Sequence, residues 1–176
     1  MELPRFHTAN GLHPRFVTGR VAATMRAANF RTLRLSFESA EPGRQRDSSR
    51  KVTNQDLASA LEALRAAGFT SADVSVYVLM GLPGQERDEV ADTLRLVRRL
   101  RARSYLARYS PIPGTIEYTR MPQEYHTRAT TEPLLHNNTA LPYLQSAHVM
   151  APEIYQELND LSKHLNAQIE AETQRA

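Results

Sequence analysis

Two short stretches hold the residues whose types invite chemistry. Ser36, Glu38 and Ser39 close the segment Thr32–Ser39, and Gly81-Leu82-Pro83-Gly84 breaks the apolar run that ends at Met80. A carboxylate flanked by hydroxyls accepts hydrogen bonds from hydroxyl or amine groups and pairs with cations. A turn rich in Gly and Pro either lets backbone approach a ligand or simply redirects the chain. Both stretches have plainer readings as well. Glu38 suits one of the many arginines as an ion-pair partner, and Arg50 in "RDSSRK" suits a solvated loop. Other chemistries find no support. His7, His13, His126, His136, His148 and His164 lack metal-ligand spacing such as His-x-x-x-His. Ser39 and Ser110 lack the Gly-x-Ser-x-Gly elbow of a hydrolase, and the chain has neither a Walker loop nor Gly-x-Gly-x-x-Gly. There is no cysteine, which removes disulfides, thiolate catalysis and any cysteine-ligated zinc or iron–sulfur site built from this chain alone.

These residues need elements to hold them. The strand candidates are Thr32–Ser39, Val74–Met80, Ser104–Pro111 and a weaker Leu3–Gly11. The run of apolar residues into Met80 predicts a strand covered on both faces. Helical patterns lie between. Thr18 caps one through about Asn29, with Val21 and Met25 on one face, and Thr53 caps another that carries Leu57, Leu61 and Leu64 before Gly68. A third, Glu86 to Arg101, aligns Val90, Leu94, Val97 and Leu100, with acids early and arginines late as the macrodipole prefers. Strands alternating with helices predict an α/β fold with parallel pairing, either open or closing into a barrel. In both, ligands gather at the carboxyl ends of the strands. Those ends are His7, Asn10 and Gly11; Ser36, Glu38 and Ser39; Gly81 to Gln85; and Ser110 to Thr115. Residues 1–120 form this sheet domain. Residues 121–176 are predicted to be an irregular segment and an amphipathic helix from Pro152, carrying Ile154, Leu158, Leu161, Leu165 and Ile169 and packed on the sheet.

Composition sets outer limits. A chain of 176 residues with 41% hydrophobic and 23% charged residues suits one soluble domain. The net charge of +3 comes without a run of five basic residues, which weakens any nucleic-acid reading. No apolar stretch approaches the roughly 18 residues of a membrane span, and no signal peptide opens the chain, so a cytoplasmic protein is expected.

The segments "HTANGLHPRFVT", "AANFRTLRLSFES", "LRAAGF", "VYVLMGLPGQ" and "YSPIPGT" follow one another in an order and spacing that resembles the radical S-adenosylmethionine (SAM) enzymes. The closest resemblance is to a branch whose members often carry an N-terminal cobalamin-binding domain. It covers roughly residues 3 to 120. The family implies a partial (β/α)6 barrel, in which a Cys-x-x-x-Cys-x-x-Cys loop holds a 4Fe–4S cluster that reduces SAM to a 5′-deoxyadenosyl radical. This sequence resembles that barrel only from the third strand onward, about four βα units, and lacks the cysteine loop. By resemblance, Asn10 lies at the first strand end of the site, and Ser36, Glu38 and Ser39 form the ribose-binding strand end. Arg50 pairs with the methionine carboxylate. Gly81, Leu82, Pro83 and Gly84 lie against the adenine, while Ser110, Pro111 and Ile112 close its pocket. An aspartate of some relatives is replaced by Tyr77. Three readings follow: the carboxyl-terminal portion of a radical SAM enzyme, a non-catalytic SAM- or nucleotide-binding module, or a subunit completed by a cysteine-bearing chain. The expected partners are the other half of the barrel, a second chain over the open sheet edge, or another copy. SAM binding by this chain alone is expected to be weak, on the order of millimolar.

Overall fold

The computed structural model describes residues 4–47, 52–123, 125–126 and 150–175. Arg50 and the "PLLHNNTALPY" segment therefore lie outside the described residues. Four strands, β1 (Phe6–His7), β2 (Phe30–Ser36), β3 (Val74–Met80) and β4 (Arg103–Arg108), form one sheet in the order β1-β2-β3-β4. Every pair is parallel, with Leu35 opposite Val76 and Val76 opposite Ser104. The helices are α1 (Gly19–Ala27), α2 (Pro42–Asp47), α3 (Asn54–Ala66), α4 (Arg87–Arg99), α5 (Ile116–Thr119) and α6 (Pro152–Arg175). The α/β order read from the sequence is thus observed, with the short helices α2 and α5 as additions. Among the described residues no helix is long and apolar enough to cross a membrane.

The helix ends follow local chemistry. Thr18 caps α1 by accepting a bond from the Val21 amide, and Asn29 ends that segment at φ 64°, a left-handed conformation that Asn tolerates. Thr53 and Asp56 form a reciprocal capping box on α3. Within α1 the sequence reading needs correction. Val21 is 37% exposed, whereas Met25 packs partly against the core and Ala22 is fully buried, its small side chain suiting the close packing of α1 on α3.

The core lies on one side of the sheet. Leu33, Leu35, Val74, Val76, Val78 and Met80 pack against Leu57, Leu61 and Leu64 of α3, Val90, Leu94 and Val97 of α4, and Leu158 of α6. The alternate positions, Arg34, Ser36, Ser75, Tyr77 and Tyr105, are not buried. This corrects the expectation that β3 is covered on both faces, because only every second residue of the run is enclosed. On the open face Arg34 donates to the Tyr77 hydroxyl at 2.7 Å and lies over the Tyr105 ring at 4.7 Å. At the β4 edge, Asn166 of α6 accepts from the Ser104 amide and donates to its carbonyl, both at 2.9 Å. One helix side chain thus occupies two groups that a fifth strand would take.

Candidate functional site

Glu38 stands just past the end of β2. The Phe37 amide donates to the Tyr77 carbonyl at 3.0 Å, and Phe37 itself is buried in the core. Side chains alternate along a strand, so inward Phe37 turns Ser36 and Glu38 to the opposite side. The loop after β1 comes very near. The Ser36 amide donates to the Leu12 carbonyl at 2.8 Å, and a Cβ on Gly11 would stand 2.1 Å from Ser36 Oγ. Only glycine admits that approach. A pocket of about 240 Å³ results, walled by Gly11, His13, Ser36 and Glu38 on one side and by Ser39, Arg44, Gln45 and Val52 on the other.

Commitments among these side chains differ. Ser39 is buried; its hydroxyl donates to Glu89 Oε1 at 2.6 Å and accepts from the Glu41 amide at 3.0 Å. Arg44 grips the same carboxylate in a fork, Nε to Oε1 at 2.6 Å and Nη2 to Oε2 at 3.0 Å, with both side chains 11% exposed. Burial disfavours the Arg44 charge, but the bond and charge of Glu89 outweigh it and raise the guanidinium pKa. Gln45 donates to the Ser39 carbonyl at 2.8 Å and to Asn54 at 2.7 Å. The Glu38 carboxylate, by contrast, makes no hydrogen bond or ion pair with any described residue. It faces the pocket uncommitted.

The Gly81–Gly84 turn does not line this pocket. Gln85 accepts bonds from the Gly81 and Leu82 amides at 2.9 and 3.2 Å and fixes the turn from within. Gly81 has φ +85°, and a Cβ there would stand 2.1 Å from the Tyr155 hydroxyl of α6, so the first glycine is required by the helix above it. Leu82 is buried with Tyr109, Met121 and Tyr125 in a second apolar cluster, where burial pushes Tyr109 and Tyr125 up to about 12. Pro83 is buried, its carbonyl 3.5 Å from Arg44 Nη1, and Gly84 is exposed. Asn10 is exposed and outside the pocket, as are half-buried Ser110, buried Pro111 and Ile112, which is 60% exposed. The structure thus gathers Ser36, Glu38 and Ser39 into one cavity and sets the other described candidates around its rim or beyond. His13, Arg44, Gln45 and Glu89 were missed as site residues. His13 stood in the quoted "NGLH" segment, which was its only signal.

Consecutive parallel βα units with a pocket at the strand carboxyl ends define part of a (β/α) barrel. The match to the Radical SAM superfamily runs over residues 6–97, more than half of the 176 residues, and the chain belongs to that superfamily. Among similar proteins are the GTP 3′,8-cyclase 3 of Mycobacterium bovis and that of Mycobacterium tuberculosis. Each is 24% identical over 98 residues, which covers 56% of this chain and 25% of theirs. The chain thus spans about a quarter of the length of these curated relatives. Among solved structures, coproporphyrinogen III oxidase from Escherichia coli, described as a radical SAM enzyme, superposes with a TM-score of 0.60. The match has 20% identity and covers 89% of this chain and 31% of that one. This likeness shows the fold. The superfamily implies SAM and a 4Fe–4S cluster. With no cysteine in the chain, and no metal-holding group of His, Asp and Glu among the described residues, this chain's residues do not fit the cluster. The Glu38 carboxylate, with no partner among the described residues, is of a type that accepts hydrogen bonds from hydroxyl groups.

Proposed function

We propose that this chain is the nucleoside-holding part of a radical SAM barrel, with cluster ligands supplied by other polypeptide. The observation that carries the reading is the Glu38 carboxylate, free of partners among the described residues and facing the pocket beside Ser36. A carboxylate accepts both hydrogens of a vicinal diol, which suits the ribose of SAM. Ser36 adds a hydroxyl that donates or accepts. The chain's own work is to bind and orient the nucleoside. Membership of the cobalamin-associated branch rests on the "NGLH", "GLPGQ" and "SPIPGT" segments alone.

The pocket is smaller than the roughly 300–1,000 Å³ that encloses drug-sized ligands, so it takes only part of the cofactor. Hydrogen bonds to a ribose contribute about 1 kcal/mol each, and association costs at least about 4 kcal/mol. Adenosine, SAM and S-adenosylhomocysteine should therefore all bind at about the millimolar level, followed as amide shifts in an NMR titration. Glu38→Ala should weaken adenosine by roughly thirtyfold, the loss of two such bonds, and removing both ribose hydroxyls from the ligand should do the same. Unperturbed amides at Ser36–Ser39 at saturating adenosine would overturn the assignment. Micromolar binding lost on Glu38→Ala would instead identify a dedicated nucleoside-binding module.

A further inference from the structure

One arginine on the open face of the sheet carries a charge with no counter-charge. Arg34 is partly buried, and its guanidinium makes a single hydrogen bond among the described residues, Nη1 to the Tyr77 hydroxyl at 2.7 Å. No described carboxylate forms an ion pair with it. It is nevertheless held in place. It lies over the Tyr105 ring at 4.7 Å and the Tyr77 ring at 5.5 Å, and those rings meet edge to face at 5.0 Å. The Tyr77 hydroxyl donates in turn to the Ala9 carbonyl at 3.2 Å, which fixes the oxygen that Arg34 grips. Partly buried charges are ordinarily paired, and a guanidinium offers five N–H donors, so most of these are unused. Tyr105, on which the guanidinium lies, is 47% exposed, so the group is open to a ligand.

Strand register adds two more groups. Arg34 stands opposite Ser75, and Ser75 opposite Arg103, so the three form one row across β2, β3 and β4, about 10 Å wide. A hollow of about 180 Å³ is lined by all three together with Tyr105. The Ser75 hydroxyl makes no hydrogen bond to a described residue. Arg103 pairs with Glu170 at 3.2 Å, but both are more than a third exposed, and such pairs contribute little. Asp73 also borders the hollow, with its Oδ2 taken by the Thr70 amide and hydroxyl at 2.8 and 2.9 Å.

We infer that this row is a binding site for the oxyanion group of a small molecule, a carboxylate or a phosphate. The Arg34 fork grips it, the Ser75 hydroxyl donates to it, and Arg103 adds charge. The hollow suits a group of that size rather than a segment of chain. It is separate from the cavity of Glu38, which Arg34 does not line, so the inference does not rest on the nucleoside reading.

The test uses the full chain with ¹⁵N-labelled arginine, dilute enough to be monomeric. It is titrated with inorganic phosphate and with acetate, against sodium chloride at matched ionic strength. The Arg34 Nε–H and the Ser75 amide should shift saturably at millimolar anion, while exposed Arg99 follows ionic strength alone. A stronger response to phosphate assigns phosphate ligands, and a stronger response to acetate assigns carboxylates. Arg34→Gln, whose amide can still donate to Tyr77, should weaken the anion at least tenfold, and Ser75→Ala roughly fivefold. An Arg34 resonance that moves no further than that of Arg99, or as far with chloride, reports ionic screening and removes the site, leaving the counter-charge to another polypeptide. Adenosine is uncharged and tests the Glu38 cavity separately, so neither result decides the other. Should Arg34→Gln fail to fold, Ser75→Ala and the resonances of the unaltered chain decide.

Discussion

Removing the carboxylate of Glu89 should harm the fold far more than removing that of Glu38. Glu89 is fully engaged by the Arg44 fork and the Ser39 hydroxyl, in surroundings that leave both ionic side chains 11% exposed. Glu89→Ala strands a buried guanidinium, and breaking such a pair costs about 3–5 kcal/mol. For a chain of this size that is a fall in Tm of roughly 6–20 °C, measured by circular dichroism. Replacing both partners, Arg44→Met with Glu89→Leu, should recover most of it, because no unpaired charge remains. Glu38→Ala should stay within about 0.5 kcal/mol of the parent. A Glu89→Ala melt indistinguishable from the parent would sink this account of the loop. The two glutamates also differ in legibility. Glu38 was found because strand ends are where ligands gather. Arg44 stands in α2 with Arg46, and Arg50 follows closely in the sequence, so nothing in local spacing says which arginine meets a carboxylate 45 residues further on.

At the scale of elements, α3 carries a pH signature. The Thr53 amide donates to Asp56 Oδ2 at 2.9 Å, and the Asp56 amide donates to Thr53 Oγ1 at 3.1 Å. The backbone bond from Thr53 is the main cause holding the Asp56 carboxyl below its ordinary 3.8. A depressed carboxylate pKa contributes stability that is fully present above the unfolded value, and loses it as pH falls through the folded one. Asp56→Ala should therefore cost about 1 kcal/mol near neutral pH, and the gap should shrink below pH 3.8 in urea unfolding series. A gap that persists unchanged into acid would show that the charged carboxylate is not what caps the helix. This cap was readable in the sequence, as were Leu57, Leu61 and Leu64, all buried as their spacing predicts. The misreadings share one cause. Hydrophobic pattern counts Val21 and Tyr77 as apolar, but α1 turns Ala22 and partly Met25 inward and leaves Val21 exposed, and Tyr77 turns its hydroxyl to Arg34 on the open side of the sheet. Periodicity detects a face; it does not detect which neighbour is close or which face is left uncovered.

Over the whole molecule, that uncovered face governs behaviour in solution. The edges are weaker templates for association than a bare four-stranded sheet suggests. β1 is two residues long, and Asn166 takes up both backbone groups of Ser104 on the outer side of β4. What stays open is the face of Arg34, Tyr77 and Tyr105, where Tyr105 is 47% exposed, with Phe6 exposed beside β2. Covering that face in water would bury aromatic surface, which favours a second copy. Two copies meeting there also bring their Arg34 guanidiniums together in a chain already at net charge +3, and like charges oppose such a contact. Self-association should therefore be weak and should strengthen with salt, as the Debye length falls from about 10 Å near 0.1 M to about 3 Å near 1 M. Light scattering at rising protein concentration, at low and high salt, checks both parts. Tyr105→Ser should reduce the associated fraction at every salt concentration. Association that weakens with salt would mean the contact is an attractive ionic one elsewhere on the surface, and a monomer under all conditions would mean this face has a cover within the chain itself.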